Sequence, residues 1–246
     1  MSGHSKWHNI KLKKGKVDAQ RGALFTKLSK EIILAAKNGS PDPDANYRLK
    51  MAVEKAREFN MPQDNIKRAI ARASGQGNER EIEEIRYEGY GPHGLAIVAD
   101  VATDNRNRTA GEIRFLFSRH DGTLGESNSV GWMFAPVGIV EIATGGKSED
   151  EFMERALVDG VEDIEYDEDV ASIYTQPTAL AEARDALRGQ GMRVTDAYLG
   201  MRPTTKVELF GDELSTALSF LEMLEEHEDV QRVFTNLDFS NVPVEA

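Results

Sequence analysis

The hydrophobic period of the chain changes near residue 80, and this change rules out a single uniform fold. Before it, apolar residues recur at the helical spacings of three and four; after it, short apolar runs alternate with amphipathic segments. Gly75-Gln76-Gly77 separates the two patterns and is typical of a flexible linker. At 246 residues the chain has room for two or three domains, each with its own core. We therefore predict an α+β multidomain protein.

Charge divides the chain at the same place. Residues 1–80 carry 17 Lys and Arg against 8 Asp and Glu, a net charge of +9, whereas residues 81–246 carry 13 against 34, a net charge of −21. The total of −12 conceals this difference. Such a split suggests one module built for a polyanion, and nucleic acid is the commonest polyanion. The alternative is a solvated basic face that has no partner.

The basic part, residues 1–80, is predicted to be a helical domain. Leu24, Leu28 and Ile32 begin the apolar stripe of a first helix, a second helix begins near Asp44, and Pro62 fits the first turn of a third. Three short amphipathic helices with tight connections form a three-helix bundle. The second and third helices form either a helix-turn-helix or an ordinary pair of a compact bundle.

The acidic part is predicted to hold two α/β sandwich domains, one inserted in the other. Residues 135–203 follow the order βαββαβ, which is that of a ferredoxin-like sandwich. Its first helix begins at Ser148 and is expected to bury Phe152, Ala156 and Leu157. Residues 81–134 supply three strands, the last of them toward Phe134, and a helix for which Thr109 and Glu112 have capping-box spacing. Residues 204–246, with a strand predicted at Lys206 to Phe210, are too few for a core of their own. We therefore pair 81–134 with 204–246 as one discontinuous domain.

Six motifs spread over the chain are similar to those of the YebC/PmpR/TACO family. They are SGHSKWHNIK (Ser2 to Lys11), DAQRGALFTKL (Asp18 to Leu28), NMPQDNIKRAI (Asn60 to Ile70), YEGYGP (Tyr87 to Pro92), TDNRNRT (Thr103 to Thr109) and NSVGWMF (Asn128 to Phe134). The resemblance covers nearly the whole chain. It implies a three-domain, non-enzymatic regulator of gene expression, since some members are described as DNA-binding transcriptional regulators and others as translation factors acting with ribosomes.

The candidate nucleic-acid contacts are the basic side chains of residues 1–80 and one indole. Lysines neutralise phosphates, and an indole ring stacks on an unpaired base or packs the tail on the bundle. The first choices are Lys6, Trp7, Lys11, Lys13, Lys14, Lys16, Arg21 and Lys27. The second choices are Lys50, Lys55, Lys67, Arg68 and Arg72, whose helical faces need not converge.

A second candidate site lies in the acidic part, at Asn105, Arg106, Asn107 and Arg108. These residues come just before a predicted helix, where free backbone N–H groups and guanidinium forks favour an anion. In the alternative interpretation, Asn105 or Asn107 caps the helix and the arginines pair with nearby carboxylates.

Several other chemistries are not supported by the sequence. Gly89, Gly91 and Gly94 have the spacing of a dinucleotide fingerprint, but an apolar strand follows them, which favours a turn between strands. The acidic run from Asp159 to Asp169 lacks the glycine of an EF-hand loop, and its alternation indicates the solvent face of an edge hairpin. The chain contains no cysteine, which excludes disulfides and thiolate zinc sites. We predict no catalytic residue, no metal site and no cofactor.

These observations predict a cytoplasmic nucleic-acid-binding regulator of gene expression. The first hypothesis is a DNA-binding transcriptional regulator, and the alternative is a translation factor that binds ribosomal RNA on the ribosome. The expected partners are DNA or ribosomal RNA, with neither a membrane nor a small-molecule substrate. No apolar run approaches the roughly 20 residues that span a bilayer, and the N-terminus lacks the apolar core of a signal peptide.

Overall fold

A computed structural model describes residues 19–75, 80–167 and 169–242, with side chains from residue 22 onward. The described chain forms two compact units. The first unit comprises residues 19–131 and 212–235, and the second comprises residues 132–211 and 236–242.

The two units contain seven α-helices and eight strands within the described residues. In chain order they are α1 (Ala19–Lys37), α2 (Tyr47–Glu58), α3 (Gln63–Ala73), β1 (Glu83–Tyr90), β2 (Ala96–Thr103), α4 (Arg106–Arg119), β3 (Thr123–Leu124), β4 (Phe134–Ala143), α5 (Glu149–Ala156), β5 (Val161–Glu165), β6 (Val170–Thr175), α6 (Leu180–Gly189), β7 (Arg193–Pro203), α7 (Gly211–Glu226) and β8 (Val230–Thr235). The predicted α+β fold class is confirmed.

Helices α1 to α3 form the predicted bundle, with two differences at helix starts. Helix α2 begins at Tyr47 rather than near Asp44, because the Asn46 side chain accepts a hydrogen bond from the backbone N–H of Leu49 at 3.1 Å and caps the helix there. Pro62 is extended and precedes α3, so it lies one residue outside the first turn in which it was predicted. The bundle core includes Leu28, Ile32, Leu49, Val53 and Ile66, all buried.

The bundle shares the first unit with a four-stranded antiparallel sheet. The strand order is β3-β1-β2-β8, so the chain returns to this sheet after residues 134–211. Helix α1 packs on β2 and β8, and Ile82 and Ala102 belong to the same apolar cluster as the bundle. On α4 and α7, the rings of Phe117 and Phe220 meet edge to face, with centroids 5.1 Å apart. The boundaries predicted for the three domains stay a prediction.

Two glycines of the apparent dinucleotide fingerprint, Gly91 and Gly94, lie in the turn between β1 and β2, and the third, Gly89, lies in β1. Gly94 has a φ of +75°, which favours glycine in the turn. At Gly89, a Cβ atom would lie 2.5 Å from the carbonyl oxygen of Thr123 and 2.8 Å from the Phe117 ring, because β3 and α4 approach β1 closely here. Since the chain continues into an antiparallel strand, the interpretation as a turn is confirmed.

Substitution of Gly89 tests this account of the glycine motif. We expect Gly89→Ala to lower the free energy of unfolding by about 1–3 kcal/mol, because backbone atoms of β3 must move away from the new methyl group. The matched control is Gly111→Ala in the middle of α4, where the methyl group meets no atom within 4 Å. The control should raise stability by about 0.5–1 kcal/mol. Urea denaturation measures the free energy of unfolding of both variants. If the two substitutions changed this free energy in the same direction, the account would be contradicted.

The second unit has the ferredoxin-like arrangement that the sequence predicts. Strands β4 to β7 form an antiparallel sheet in the order β5-β6-β4-β7, and α5 and α6 connect β4 to β5 and β6 to β7. The Ser148 side chain caps α5 by accepting from the backbone N–H of Glu151 at 3.4 Å, and Phe152 and Ala156 are buried as expected.

Three details of the second unit differ from the sequence predictions. Leu157 is 73% exposed rather than inward-facing, because it lies at the C-cap of α5, where the helical period ends. Glu165 is buried instead of facing solvent. The strand predicted from Lys206 to Phe210 reduces to a single bridge between Val207 and Leu237, since only the Val207 backbone pairs, with Asn236 and Asp238.

Candidate nucleic-acid interface

Most of the first-choice contacts fall outside the part of the chain that the structure describes. They are Lys6, Trp7, Lys11, Lys13, Lys14 and Lys16. The backbone of Arg21 lies in α1, but its side chain is outside the description. Lys27 is turned inward, since its Nζ atom donates to the carbonyl oxygen of Glu225 near the end of α7. Lys27 therefore holds two helices of the first unit together, which leaves it less available to a phosphate.

The second-choice cations of the bundle divide into solvent-facing and locally bonded groups. Lys50 on α2 and Lys67 on α3 are exposed and have no side-chain partner among the described residues. Arg68 donates to the Asn65 side chain and to the carbonyl oxygen of Asp64, the latter at 3.3 Å. Arg72 donates to the carbonyl oxygen of Arg80 at 3.0 Å.

Lys55 is half-buried, whereas Arg57, which is not among the candidates predicted from the sequence, is exposed. Arg57 lies seven residues after Lys50, which places both on the same side of α2. The seven-residue spacing of two cations outside the apolar stripe is the signal that would have identified it.

Most polar side chains of the TDNRNRT segment form hydrogen bonds within the fold. The Asn105 side chain accepts from the backbone N–H of Arg108 at 3.2 Å and caps α4. The hydroxyl of Thr103 accepts from the backbone N–H of Asn105 at 2.9 Å and lies 2.7 Å from the hydroxyl of Thr109. Thr109 therefore lies inside α4 as a buried residue, and the predicted capping box with Glu112 is wrong.

Asp229, just before β8, is the centre of a buried ionic network in the first unit. Its carboxylate accepts from the Nζ atom of Lys30 on α1, from the hydroxyl of Thr109 at 2.6 Å and from the Arg108 guanidinium at 2.7 Å. Its side chain is 0% exposed. Burial alone would raise the pKa of Asp229, but the hydrogen bonds from Lys30, Thr109 and Arg108 outweigh it and lower the pKa to about 2. The network ties the bundle, α4 and β8 together.

The two arginines of the predicted anion site therefore differ. The Arg108 guanidinium binds Asp229 and lies 3.4 Å from Asp104, as in the alternative interpretation of the motif. Arg106 is exposed and has no ion-pair partner among the described residues, and Asn107 is likewise exposed. The structure thus separates a structural arginine from one that remains available to an anion.

A cluster of possible metal ligands adjoins the same network. Ligand atoms of Glu112, His227 and Asp229 lie within 4.8 Å of one another. The arrangement does not suit a cation, because Lys30 and Arg108 already bind the Asp229 carboxylate. The Nδ1 atom of His227 also accepts from the backbone N–H of Asp229 at 3.2 Å. These residues form ion pairs and hydrogen bonds within the first unit instead.

Glu165 is the corresponding buried carboxylate of the second unit. Burial would raise its pKa, but the pKa is lowered, because Glu165 accepts from the hydroxyl of Tyr174 at 2.7 Å and from the Nζ atom of Lys206 at 3.0 Å. The guanidinium of Arg202 lies 4.0 Å above the Tyr174 ring. All of these partners are side chains of the second unit, so the network stabilises the sheet of this unit.

No helix within residues 19–75, 80–167 and 169–242 is long and apolar enough to cross a lipid bilayer.

Comparison with known proteins places the chain in a family. Residues 5–76 match the TACO1/YebC protein N-terminal domain, and residues 82–237 match the TACO1/YebC second and third domain. The chain belongs to the TACO1/YebC family. The family resemblance of the six sequence motifs is thereby confirmed.

Members of the TACO1/YebC family resemble the chain over nearly its full length. A probable transcriptional regulatory protein of Desulforamulus reducens is 51% identical over 240 residues, which cover 97% of this chain and 99% of the relative. One from Pelotomaculum thermopropionicum is 47% identical over 98% of this chain and 100% of the relative. The crystal structure of a conserved hypothetical protein from Aquifex aeolicus matches with a TM-score of 0.86 at 41% identity, over 91% of this chain and 92% of that one.

Proposed function

We propose that this TACO1/YebC chain is a non-enzymatic, DNA-binding regulator of transcription that acts in the cytoplasm and contacts nucleic acid through residues 1–80. The observation that carries the proposal is the net charge of +9 on these residues against −21 on the remainder. The names of the relatives, probable transcriptional regulatory proteins, support the same role.

Exposed cations of the bundle supply phosphate contacts without reading sequence. Lys50, Arg57 and Lys67 are exposed on α2 and α3, and each cation that reaches a phosphate releases counterions from the nucleic acid. The acidic residues 81–246 are repelled by bulk phosphate, so they orient the basic part toward the polyanion. Binding should therefore be strong at low salt and weaken steeply as salt is added.

Action on the ribosome is the second candidate function, and one feature of α3 favours it. A recognition helix reads bases with the side chains of its N-terminal turns. In α3 that turn carries the exposed Asp64, whose charge opposes phosphate, and Arg68 is bonded to Asn65. A lysine-rich tail with the single indole of Trp7 suits irregular, partly unpaired RNA at least as well as a DNA groove.

Two binding measurements made side by side decide between these candidates. The first is footprinting on genomic DNA fragments with an excess of competitor DNA, and the second is co-sedimentation with ribosomes at near-physiological salt. A discrete promoter footprint without ribosome association supports the transcriptional proposal. Ribosome association that is lost in the variant K11E/K13E/K14E, without a footprint, supports the translational candidate. If neither is observed, both candidates are wrong.

A further inference from the structure

A cleft beside α4 in the first unit presents positive charge that the fold does not neutralise. It has a volume of about 280 Å³, and its wall includes Tyr87, Arg106, Arg114, Glu126 and Ser127. Arg106 and Arg114 are exposed and have no ion-pair or hydrogen-bond partner for their guanidinium groups among the described residues. Glu126 contributes one exposed carboxylate, so the unpaired charges at the cleft favour an anion.

Arg86 and Glu88, the other two charged residues that line the cleft, are held in place by hydrogen bonds of the fold. Arg86 binds Asp100 with two hydrogen bonds, of 2.7 and 3.0 Å. The buried Glu88 accepts from the backbone N–H groups of Val130 and Gly131 at 3.1 and 2.6 Å. Both side chains are held by the fold, which leaves the guanidinium groups of Arg106 and Arg114 as the hydrogen-bond donors that the cleft offers to a ligand.

Tyr87 lies on β1 and lines the cleft together with the two arginines. Its hydroxyl is 3.5 Å from the carbonyl oxygen of Arg106. Burial raises the pKa of Tyr87, and the charges of Arg106 and Arg114 partly oppose that rise. The phenol is therefore neutral at pH 7 and adds no negative charge to the wall of the cleft.

The spacing of the two arginines favours an extended ligand. They are eight residues apart on α4, which places their backbone positions about 12 Å apart along the helix axis. A phosphodiester chain presents successive phosphates at intervals of several ångströms, so one strand can reach both guanidinium groups. Guanidinium forks bind phosphate oxygens in a bidentate manner.

We propose that Arg106 and Arg114 bind backbone phosphates of a nucleic-acid strand in this cleft, which makes it a second contact outside residues 1–80. The inference rests on the proposed function, because it assigns the cleft to the same nucleic acid. It also gives the exposed arginine of the TDNRNRT segment a role that Arg108, bound to Asp229, does not share.

A charge-matched pair of double variants of the full chain tests the cleft. In the R106Q/R114Q variant, we expect affinity for nucleic acid at 0.1 M salt to fall about tenfold and the slope of log K against log salt to become shallower by about 1–2. The control is R119Q/R193Q, which removes two exposed arginines that do not line the cleft. The control should stay within about twofold of the wild-type affinity, since it removes no phosphate contact. Equal losses in both variants would overturn the inference.

A second measurement separates failure of the inference from failure of the proposed function. In ¹H–¹⁵N spectra of the folded full chain, we expect inorganic phosphate to shift the Nε–H signals of Arg106 and Arg114 and to leave that of Arg119 in place. If the wild-type chain binds nucleic acid but these two signals do not move, the inference alone is wrong. If the wild-type chain binds no nucleic acid, the proposed function fails and the inference fails with it.

Discussion

Asp229→Asn is expected to lower the free energy of unfolding of the first unit by about 3–5 kcal/mol. The carboxylate is fully buried between Lys30 and Arg108. Removing its charge leaves two cations that no longer have their shared counterion, one of them the 12%-exposed Lys30. Because the chain has two units, hydrogen exchange of the backbone amides in α1 and β2 measures this local stability better than a single global transition.

Asp104→Asn is the matched control for this prediction. It makes the same chemical change 3.4 Å from the same arginine, but the Asp104 side chain is 38% exposed. An exposed ion pair contributes at most about 1 kcal/mol, so the control should have little effect on amide exchange. Equal exchange rates in the two variants would mean that Asp229 does not hold the bundle on the sheet.

The Asp229 network also makes the free energy of unfolding depend on pH. The pKa of Asp229 is about 2 in the folded protein, against an ordinary value of 3.8. A carboxyl group whose pKa is lowered by folding stabilises the folded state above the ordinary value, and this stabilisation is lost as the pH falls through the folded value. Wild-type stability should therefore fall between about pH 4 and pH 2. The Asp229→Asn variant should lack this part of the pH dependence.

Neutralising five lysines of residues 1–80 is expected to weaken nucleic-acid binding on the order of 10²-fold at 0.1 M salt. The variant is K11Q/K13Q/K14Q/K50Q/K67Q, which combines three tail lysines with the two exposed second-choice lysines of the bundle. Each phosphate contact that is lost also makes the salt dependence of binding shallower. Fluorescence anisotropy with a labelled oligonucleotide across a salt series measures both quantities.

The control for this variant carries neutralised cations of the acidic part. R119Q/K147Q/R193Q removes three exposed basic side chains, while K11Q/K13Q/K14Q removes the same number from the tail. We expect the tail variant to lose at least tenfold in affinity, whereas the control variant should stay within a factor of about two because it loses no phosphate contact. Equal losses would show that binding follows total charge rather than the basic part.

Substitution is a better test than deletion, because helices α1 to α3 share the first unit with a sheet. Helix α1 packs on β2 and β8, and Lys30 completes the Asp229 network. A fragment of residues 81–246 would lack Lys30 and would expose Ala102 to solvent. A change in the affinity of this fragment for nucleic acid could therefore reflect unfolding.

The sequence predicted the arrangement of secondary structure well, because that arrangement depends on periodicity. The three-helix bundle, the βαββαβ order of the second unit and the turn between β1 and β2 all follow from local patterns. The start of α2 was misplaced because the cap is made by a single side chain, that of Asn46. The prediction of a strand around Val207 was wrong, because an alternating sequence forms a strand only where a partner strand is available.

The candidate sites were harder to predict, because the partner of a charged residue can be distant in sequence. Arg108 looked like an anion ligand until folding brought Asp229 to it, 121 residues later in the chain. Glu165 alternates as a solvent-facing residue should, yet Lys206 and Tyr174 draw it into a buried network. No local pattern of the sequence encodes these pairings. The ion pairs of the folded chain must be known before Arg106 and Arg114 can be recognised as arginines that have none.

The salt dependence of nucleic-acid binding by the unmodified full chain tests the central claim most directly. If residues 1–80 bind phosphates with five or more cations, log K should fall linearly with log salt, with a slope of about −4 or steeper on duplex DNA. That result would agree with a basic part whose net charge is +9 within an otherwise acidic protein. No binding at 50 mM salt, or an affinity that does not change between about 50 and 200 mM salt, would contradict the claim.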